Sequence, residues 1–205
     1  MRIDLHCHSK YSQDNFLEPR ELIEQAIKIG LDGVCITEHH SMIPLWPLER
    51  IKIPEGFYVF RGLEISTDLG HLLVYGIKDD SWNPWASNTY LDVHRVIEDV
   101  HRLGAICIPA HPFRGWDSFG EAIFQIEYID AIETHNGLDT EDRNQKAIHA
   151  AKIRNLPSIG GSDCHNKNQV GRAFTEFKNT VYTMEELIEE IKRGNCRGIT
   201  LSGPE

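Results

Sequence analysis

The chain has 205 residues, of which 40% are apolar and 25% are charged, a composition that predicts a folded protein with a buried core and excludes a disordered chain. Its net charge of −10 argues against a surface built for duplex nucleic acid and favours a small substrate. The sequence contains neither a basic and apolar leader nor an apolar run of about 18 residues, so we expect a cytoplasmic protein without a membrane-spanning helix.

Predicted strands and helices alternate along the chain. Strands are predicted over 2–7, 33–37, 58–65, 71–77, 105–110, 129–134 and 158–162, with a further one near 197–201. Helices are predicted from Pro19 to Gly30, over 89–103, over 139–155, and from Thr183, where Glu186 completes a capping box, to Gly194. Strands separated by helices indicate a parallel sheet, either an α/β barrel or an open doubly wound sheet.

Two segments, 41–56 and the Trp-rich 79–88, break this alternation, so a regular eightfold barrel is not expected. No linker-like composition divides residues 1–205, and we therefore expect a single domain. The five cysteines are odd in number, far apart and never arranged as CxxC, which predicts free thiols and neither a disulfide framework nor a structural zinc knuckle.

The eleven histidines are distributed unevenly over the predicted elements. Three of them, His94, His101 and His149, fall in helices. The other eight lie in strands or just beyond strand ends: His6, His8, His39, His40, His71, His111, His135 and His165. Because active sites of parallel α/β folds are built where the carboxyl ends of the strands meet, this placement predicts a cluster of imidazoles at one edge of the sheet.

Two pairs of polar residues have the spacing of a chelate. His6 and His8 are two apart at the end of the first strand, so both imidazoles point to one side and Cys7 to the other. Asp163 and His165 follow a later strand with the same spacing. A single histidine in a strand is more often a packed or surface residue, but several imidazoles and carboxylates together favour a shared cation.

Further candidate ligands come from other strand ends. Glu64 ends a strand and is the candidate bridging ligand, since a carboxylate can join two ions and an imidazole cannot. His39 and His111 also follow strands. His71 begins one, and can reach the same edge when its strand runs antiparallel or returns to that face.

Three candidates have ordinary alternatives. Asp14 is equally well explained as a turn residue. Glu133 can orient an imidazole from behind, and His135 can be a surface residue. The role of His40 is left open.

Five segments follow one another in the order Asp4-Leu5-His6-Cys7-His8-Ser9, Thr37-Glu38-His39-His40, Glu64, Ala110-His111-Pro112 and Gly161-Ser162-Asp163-Cys164-His165. This series resembles the motifs of the PHP (polymerase and histidinol phosphatase) family, and the resemblance extends over residues 4 to 165. It implies an α/β fold, a distorted (β/α)7 TIM-like barrel, with two or three divalent ions at the carboxyl ends of the strands. The mixed imidazole and carboxylate ligands suit Zn, Mn or Fe.

The resemblance also implies how the ligands are shared. One ion is expected on His6, His8, Glu64 and Asp163, a second on Asp14, His39 and His165, and a third on Glu64, His71 and His111. The chain departs from the family pattern in two places. Glu38 stands where aspartate is more usual, and Asp14 stands where some members have histidine.

The expected activity is hydrolysis of a small phosphate ester, either a phosphomonoester or a nucleotide phosphodiester. Ions about 3.5 to 4 Å apart can share a bridging hydroxide that attacks the phosphorus in line. Asp163 is the candidate that moves a proton at that water, with Glu38 in reserve. Arg114, three residues after His111, is the candidate that binds a phosphate oxygen, with Lys10 as a looser one.

Two other functions fit the same residues. A nuclease that trims single-stranded ends uses the same chemistry, but the acidic charge and the lack of a basic strip with aromatic residues argue against it. A non-catalytic barrel that serves as a scaffold is opposed by the intact ligand positions. Trp82, Trp85 and Trp116 are candidates to wall a ring pocket, although packing is the commoner use of such residues. The sequence leaves the oligomeric state open.

Overall fold

The computed structural model describes residues 1–42, 50–80 and 90–201. Four α-helices lie in this part of the chain: α1 Pro19–Lys28, α2 Val93–Arg102, α3 Glu141–Arg154 and α4 Met184–Lys192. The same residues form nine strands: β1 Arg2–Cys7, β2 Gly33–His39, β3 Tyr58–Ser66, β4 His71–Tyr75, β5 Ile106–Pro109, β6 Ile132–Asn136, β7 Ser158–Gly161, β8 Ala173–Phe177 and β9 Cys196–Thr200. None of the described helices is long and apolar enough to cross a membrane.

The strands form a curled sheet in the order β5-β4-β3-β2-β1-β8-β9 and a separate parallel pair, β6-β7. Backbone hydrogen bonds join the two. The amide of Asp163, just after β7, donates to His6 O in β1 at 2.7 Å, and the amide of Asp130, just before β6, donates to Cys107 O in β5 at 3.0 Å. Strands β1 to β7 therefore close into a distorted barrel, and the predicted α/β fold class is confirmed.

The prediction of a parallel sheet is wrong for two strands, β4 and β8. β1, β2 and β3 are parallel, but β4 runs antiparallel to both β3 and β5. Strand β8 is antiparallel to β1 and to β9, and the sequence analysis did not predict it. It is only five residues long and follows a run of loop residues, so its alternation gives a weak signal.

Side-chain caps define where three of the helices begin. Asp92 accepts a hydrogen bond from the amide of Arg95, so α2 starts later than the predicted position 89, which lies outside the described residues. Thr140 caps α3. The predicted capping box of Thr183 and Glu186 is confirmed at the start of α4.

Apolar side chains pack into two groups on the two sides of the barrel wall. One group includes Leu5, Tyr75 and Ile108 and fills the barrel, where the Tyr75 hydroxyl donates to Leu5 O at 2.9 Å. The other packs the sheet against helices through residues such as Leu22 of α1 and Val96 of α2. Both layers hold the strand ends rigidly, which positions the polar residues that follow them.

Candidate metal centre

The carboxyl ends of the parallel strands bring the predicted ligands together. His6 and His8 come from the end of β1, His39 from β2 and Glu64 from β3. His71 is the first residue of β4, and because β4 runs antiparallel its start lies at the same edge. The condition that the sequence set for His71 is therefore met.

Glu64 lies at the centre of the cluster, with its side chain 2% exposed. Its Oε1 is 2.9 Å from His111 Nε2 and 3.0 Å from His71 Nδ1. Its Oε2 is 3.2 Å from His8 Nε2 and 3.3 Å from His39 Nδ1. One carboxylate thus contacts imidazoles from four strand ends. This central position is the one expected of a ligand that bridges two ions.

The donor atoms form three overlapping groups among the described residues. The members of each group lie within 4.8 Å of one another and offer only imidazole nitrogens and carboxylate oxygens. The groups are His6, His8 and Glu64; Glu64, His71 and His111; and His8, His39 and His165. Glu64 belongs to two of them and His8 to two.

The carboxylates Asp163 and Asp14 flank these groups. Asp163 Oδ1 is 3.4 Å from His8 Nε2 and 3.5 Å from His6 Nε2. Asp14 Oδ2 lies between His39 Nε2 at 3.1 Å and His165 Nε2 at 2.9 Å. All nine residues that the sequence singled out as ligands therefore meet at one place. Which ion each of them holds stays a prediction.

Two of the imidazoles have a hydrogen-bond partner on the ring nitrogen that faces away from the cluster, and this partner fixes the orientation of the ring. His6 Nδ1 is 2.9 Å from Glu133 Oε1, and His165 Nδ1 is 2.9 Å from the backbone oxygen of Asp163. Glu133 also accepts a hydrogen bond from the amide of His111 at 2.7 Å. These contacts leave Nε2 of His6 and His165 directed at the other donors, the arrangement usual for metal ligands.

The cluster fits divalent ions better than it fits an ordinary polar core. Within the described part of the chain the buried Nδ1 of His111 has no hydrogen-bond partner, and that of His39 approaches Glu64 Oε2 at 3.3 Å without forming a hydrogen bond. Buried imidazoles and carboxylates packed so closely are costly without a cation to share them. The donor set, imidazole and carboxylate without thiolate, suits Zn, Mn or Fe.

Charges within the cluster shift its pKa values strongly in the metal-free protein. Burial lowers the pKa of His6, but the carboxylates of Asp163, Glu133 and Glu64 outweigh it and raise that pKa well above its ordinary value. Burial acts in the same direction on His8, where Asp163 and Glu64 nevertheless raise the pKa to about 10. Burial raises the pKa of Glu64, but His6 and His111 hold it well below its usual range.

We expect the affinity of the metal-free protein for Mn or Zn to increase with pH between about pH 6 and 9. A metal binds only the unprotonated nitrogen, and with raised pKa values His6 and His8 carry protons at neutral pH that the ion must displace. Raising the pH removes part of that competition. Calorimetric titration in two buffers of different ionisation enthalpy would measure the proton release directly. Equal affinity at both ends of this range, with no proton released, would contradict the assignment.

Arg114 lies beside the cluster, as the sequence predicted, and is held at three nitrogens. Its Nη1 is 2.7 Å from Asp163 Oδ2, its Nε is 3.0 Å from Asp139 Oδ1, and its Nη2 donates to Asn136 Oδ1 at 2.9 Å. Asp139 and Asn136 are residues that sequence reasoning missed. Both follow or end β6, so the clustering of polar residues after a strand was the available signal.

Glu38 is buried but faces away from the donor groups. Its carboxylate accepts hydrogen bonds from the amide of Ser9 at 3.2 Å and from the hydroxyls of Ser9 and Ser12. In the described part of the chain its hydrogen-bond partners are Ser9 and Ser12, and its catalytic role stays a prediction. Lys10 is paired with Glu18 at 2.8 Å.

The remaining candidates lie at or beyond the edge of the cluster. The ring of His40 is 6.4 Å from that of His39, and burial lowers its pKa. His135 belongs to none of the donor groups, since its Nδ1 is 2.8 Å from Thr134 Oγ1 and its ring packs against Gly198. Trp116 is 67% exposed, and Trp82 and Trp85 lie outside the described residues.

Curated proteins similar to this chain include two that align with most of its length. An uncharacterized protein of Methanocaldococcus jannaschii is 27% identical over 168 residues, which cover 77% of this chain and 94% of that protein. A protein of Caldicellulosiruptor bescii named "Probable phosphatase" is 28% identical over 204 residues, covering 84% of this chain and 83% of that protein.

Solved structures with the same fold include PsfC from Pseudomonas syringae PB-5123, with a TM-score of 0.75 and 20% identity over 98% of this chain and 91% of that one. The lesion-specific endonuclease PfuEndoQ from Pyrococcus furiosus has a TM-score of 0.69 and 21% identity, over 96% of this chain and 57% of that one. At these identities the likeness shows the fold.

Two family models match the sequence. The model described as PHP domain matches residues 4–123, which carry the motifs from His6 to His111, and the model described as PHP-associated matches residues 141–196, which include Asp163 and His165. The first match alone spans more than half of the chain, and so the chain belongs to the PHP domain family.

Proposed function

We propose that this protein is a metal-dependent phosphoesterase that hydrolyses a small phosphate ester, either a phosphomonoester or a nucleotide phosphodiester. One observation carries the proposal. Glu64 is shared by two groups of metal donors, and an arginine, Arg114, is held against the same cluster through Asp163. The relative named "Probable phosphatase", matched over more than four fifths of both chains, supports the same reaction class.

The chain's own residues have distinct tasks in this reaction. Two or three bound ions would supply Lewis acidity and lower the pKa of the attacking water. Asp163 is buried, and burial raises its pKa, but His6 and His8 hold that pKa well below its usual range, so it is a carboxylate that can orient the water and take its proton. Arg114 presents a guanidinium to the non-bridging oxygens of the phosphate.

The test is a substrate panel assayed with added Mn or Zn. It contains phosphomonoesters, phosphodiesters and short single-stranded oligonucleotides, each at the same concentration. Turnover on small esters supports the proposal and separates monoesterase from diesterase. Cleavage of oligonucleotides alone would instead indicate a nuclease, the activity named for the structurally similar PfuEndoQ. Absence of turnover on every member would favour a scaffold.

We expect Arg114→Ala to raise KM roughly 10- to 150-fold with a smaller change in kcat, since a charged hydrogen bond of about 1.5–3 kcal/mol to the substrate is lost. Arg95→Ala, which removes an exposed arginine paired with Asp99 on α2, is the matched control and leaves both constants unchanged. Steady-state kinetics on the best ester measure the effect. A fall in kcat at constant KM would instead mean that Arg114 only orients Asp163 and does not contact the substrate.

A further inference from the structure

Glu38 has a set of partners that its position in the sequence does not suggest. It precedes the candidate ligand His39 in β2, yet both of its oxygens are turned toward the short turn that follows β1. Oε1 accepts hydrogen bonds from the amide and the hydroxyl of Ser9, and Oε2 accepts one from the hydroxyl of Ser12. The carboxylate is therefore fully engaged as an acceptor.

Ser12 connects this carboxylate to the metal centre. Its Oγ is 2.9 Å from His8 Nδ1. Since the Ser12 proton is given to Glu38, the Ser12 oxygen has only lone pairs to offer His8, and Nδ1 of His8 must carry a proton. Nε2 is then the ring nitrogen left to bind an ion, and it faces Glu64 Oε2 at 3.2 Å and Asp163 Oδ1 at 3.4 Å.

We propose that Glu38 is a positioning residue that acts through Ser12 to fix the tautomer and orientation of His8, so that Nε2 is presented to a divalent ion. The inference rests on the proposed metal centre. In this role Glu38 supports the metal ligand His8 through Ser12 and does not contact the reacting phosphate.

The first experiment measures metal binding without any substrate. Metal-free protein is titrated with Mn or Zn by calorimetry, for the wild type, Ser12→Ala, Ser12→Thr, Glu38→Gln and the double variant Ser12→Ala/Glu38→Gln. We expect Ser12→Ala to weaken binding 10- to 100-fold, the usual cost of losing a partner behind a metal ligand, and Ser12→Thr to retain affinity. The double variant should be no weaker than Ser12→Ala alone, because both changes break one chain of hydrogen bonds.

The control for a merely structural effect is Thr183→Ala, which removes a capping hydroxyl at the start of α4, far along the chain from the turn after β1. It should lower the melting temperature without changing metal affinity. A Ser12→Ala variant that behaves like Thr183→Ala, with reduced melting temperature and unchanged affinity, would overturn the proposal.

A second measurement needs no variant and no substrate. ¹⁵N spectra of the histidine rings in the Zn-loaded wild type should show His8 with Nδ1 protonated and Nε2 bound to the ion, and Glu38→Gln should weaken that preference because the amide can donate to Ser12. A His8 ring bound to Zn through Nδ1 would overturn the proposal even if no variant folds. Neither measurement uses turnover, so failure to hydrolyse any ester would remove the proposed function and leave this assignment testable.

Discussion

Glu64→Gln is expected to abolish most of the activity and to remove bound metal. The side chain contacts donor nitrogens from β1, β2, β4 and the end of β5, and among the described residues it is the one carboxylate common to two donor groups. An amide keeps the shape but loses the negative charge that a ligand shared by two ions needs. We therefore expect turnover to fall by more than about 100-fold, beyond the loss caused by removing an outer partner of a ligand. Elemental analysis and steady-state kinetics on the same preparation measure both effects.

Glu24→Gln is the matched control for this change. Glu24 lies on the exposed face of α1, where it pairs with Arg20, and its substitution should leave both metal content and turnover unaltered. A Glu64→Gln protein that retained its full complement of metal and its turnover would show that the cluster is not the catalytic centre.

Asp4→Ala is expected to destabilise the fold strongly, although Asp4 lies outside the donor groups. Asp4 is fully buried, and its carboxylate accepts hydrogen bonds from the amides of Ser162 at 2.7 Å, Gly171 at 3.0 Å and His6 at 3.3 Å. It thereby ties β1 to the end of β7 and to the turn before β8. Loss of the carboxylate leaves buried amides unpaired at about 1–3 kcal/mol each, so we expect the free energy of unfolding to fall by about 3–5 kcal/mol.

Urea unfolding of the metal-free protein measures this effect without interference from ligand binding. Asp32→Ala is the comparison, since Asp32 also accepts a hydrogen bond from a β1 amide, that of Arg2 at 2.6 Å, but at an exposed position. It should cost less than about 1 kcal/mol. An equal decrease in the free energy of unfolding in the two variants would mean that the hydrogen bonds of Asp4 do not stabilise the contact between β1, β7 and the turn before β8.

Much of the metal centre was predictable because regular strands carry simple geometric rules. His6 and His8 were expected to act together from their spacing of two residues, and their Nε2 atoms are in fact 3.0 Å apart. The position of His71 could be stated as a condition on strand direction, and β4 meets that condition by running antiparallel.

The partners of the ligands could be predicted only in part. The sequence allowed Glu133 to orient an imidazole, but it did not show that this imidazole is His6, 127 residues away. Nor did it show that Arg114 meets Asp163 and Asp139 where the ends of β5, β6 and β7 converge. Such contacts depend on how strand ends are offset within the barrel, which hydrophobic periodicity does not encode. The same limit applies to Glu38, whose hydrogen bonds with the hydroxyls of Ser9 and Ser12 could not be predicted from its neighbours in the sequence.

The central claim, that this cluster holds divalent ions used to hydrolyse a phosphate ester, is tested most directly by one measurement on the unmodified protein. Metal content is determined by elemental analysis, and hydrolysis of a small phosphate ester is followed before chelation, after chelation and after Mn or Zn is restored. We predict two or more ions per chain, loss of hydrolysis on chelation and its recovery with metal. Less than one tightly bound ion per chain, together with hydrolysis that is absent throughout or indifferent to chelation, would contradict the claim.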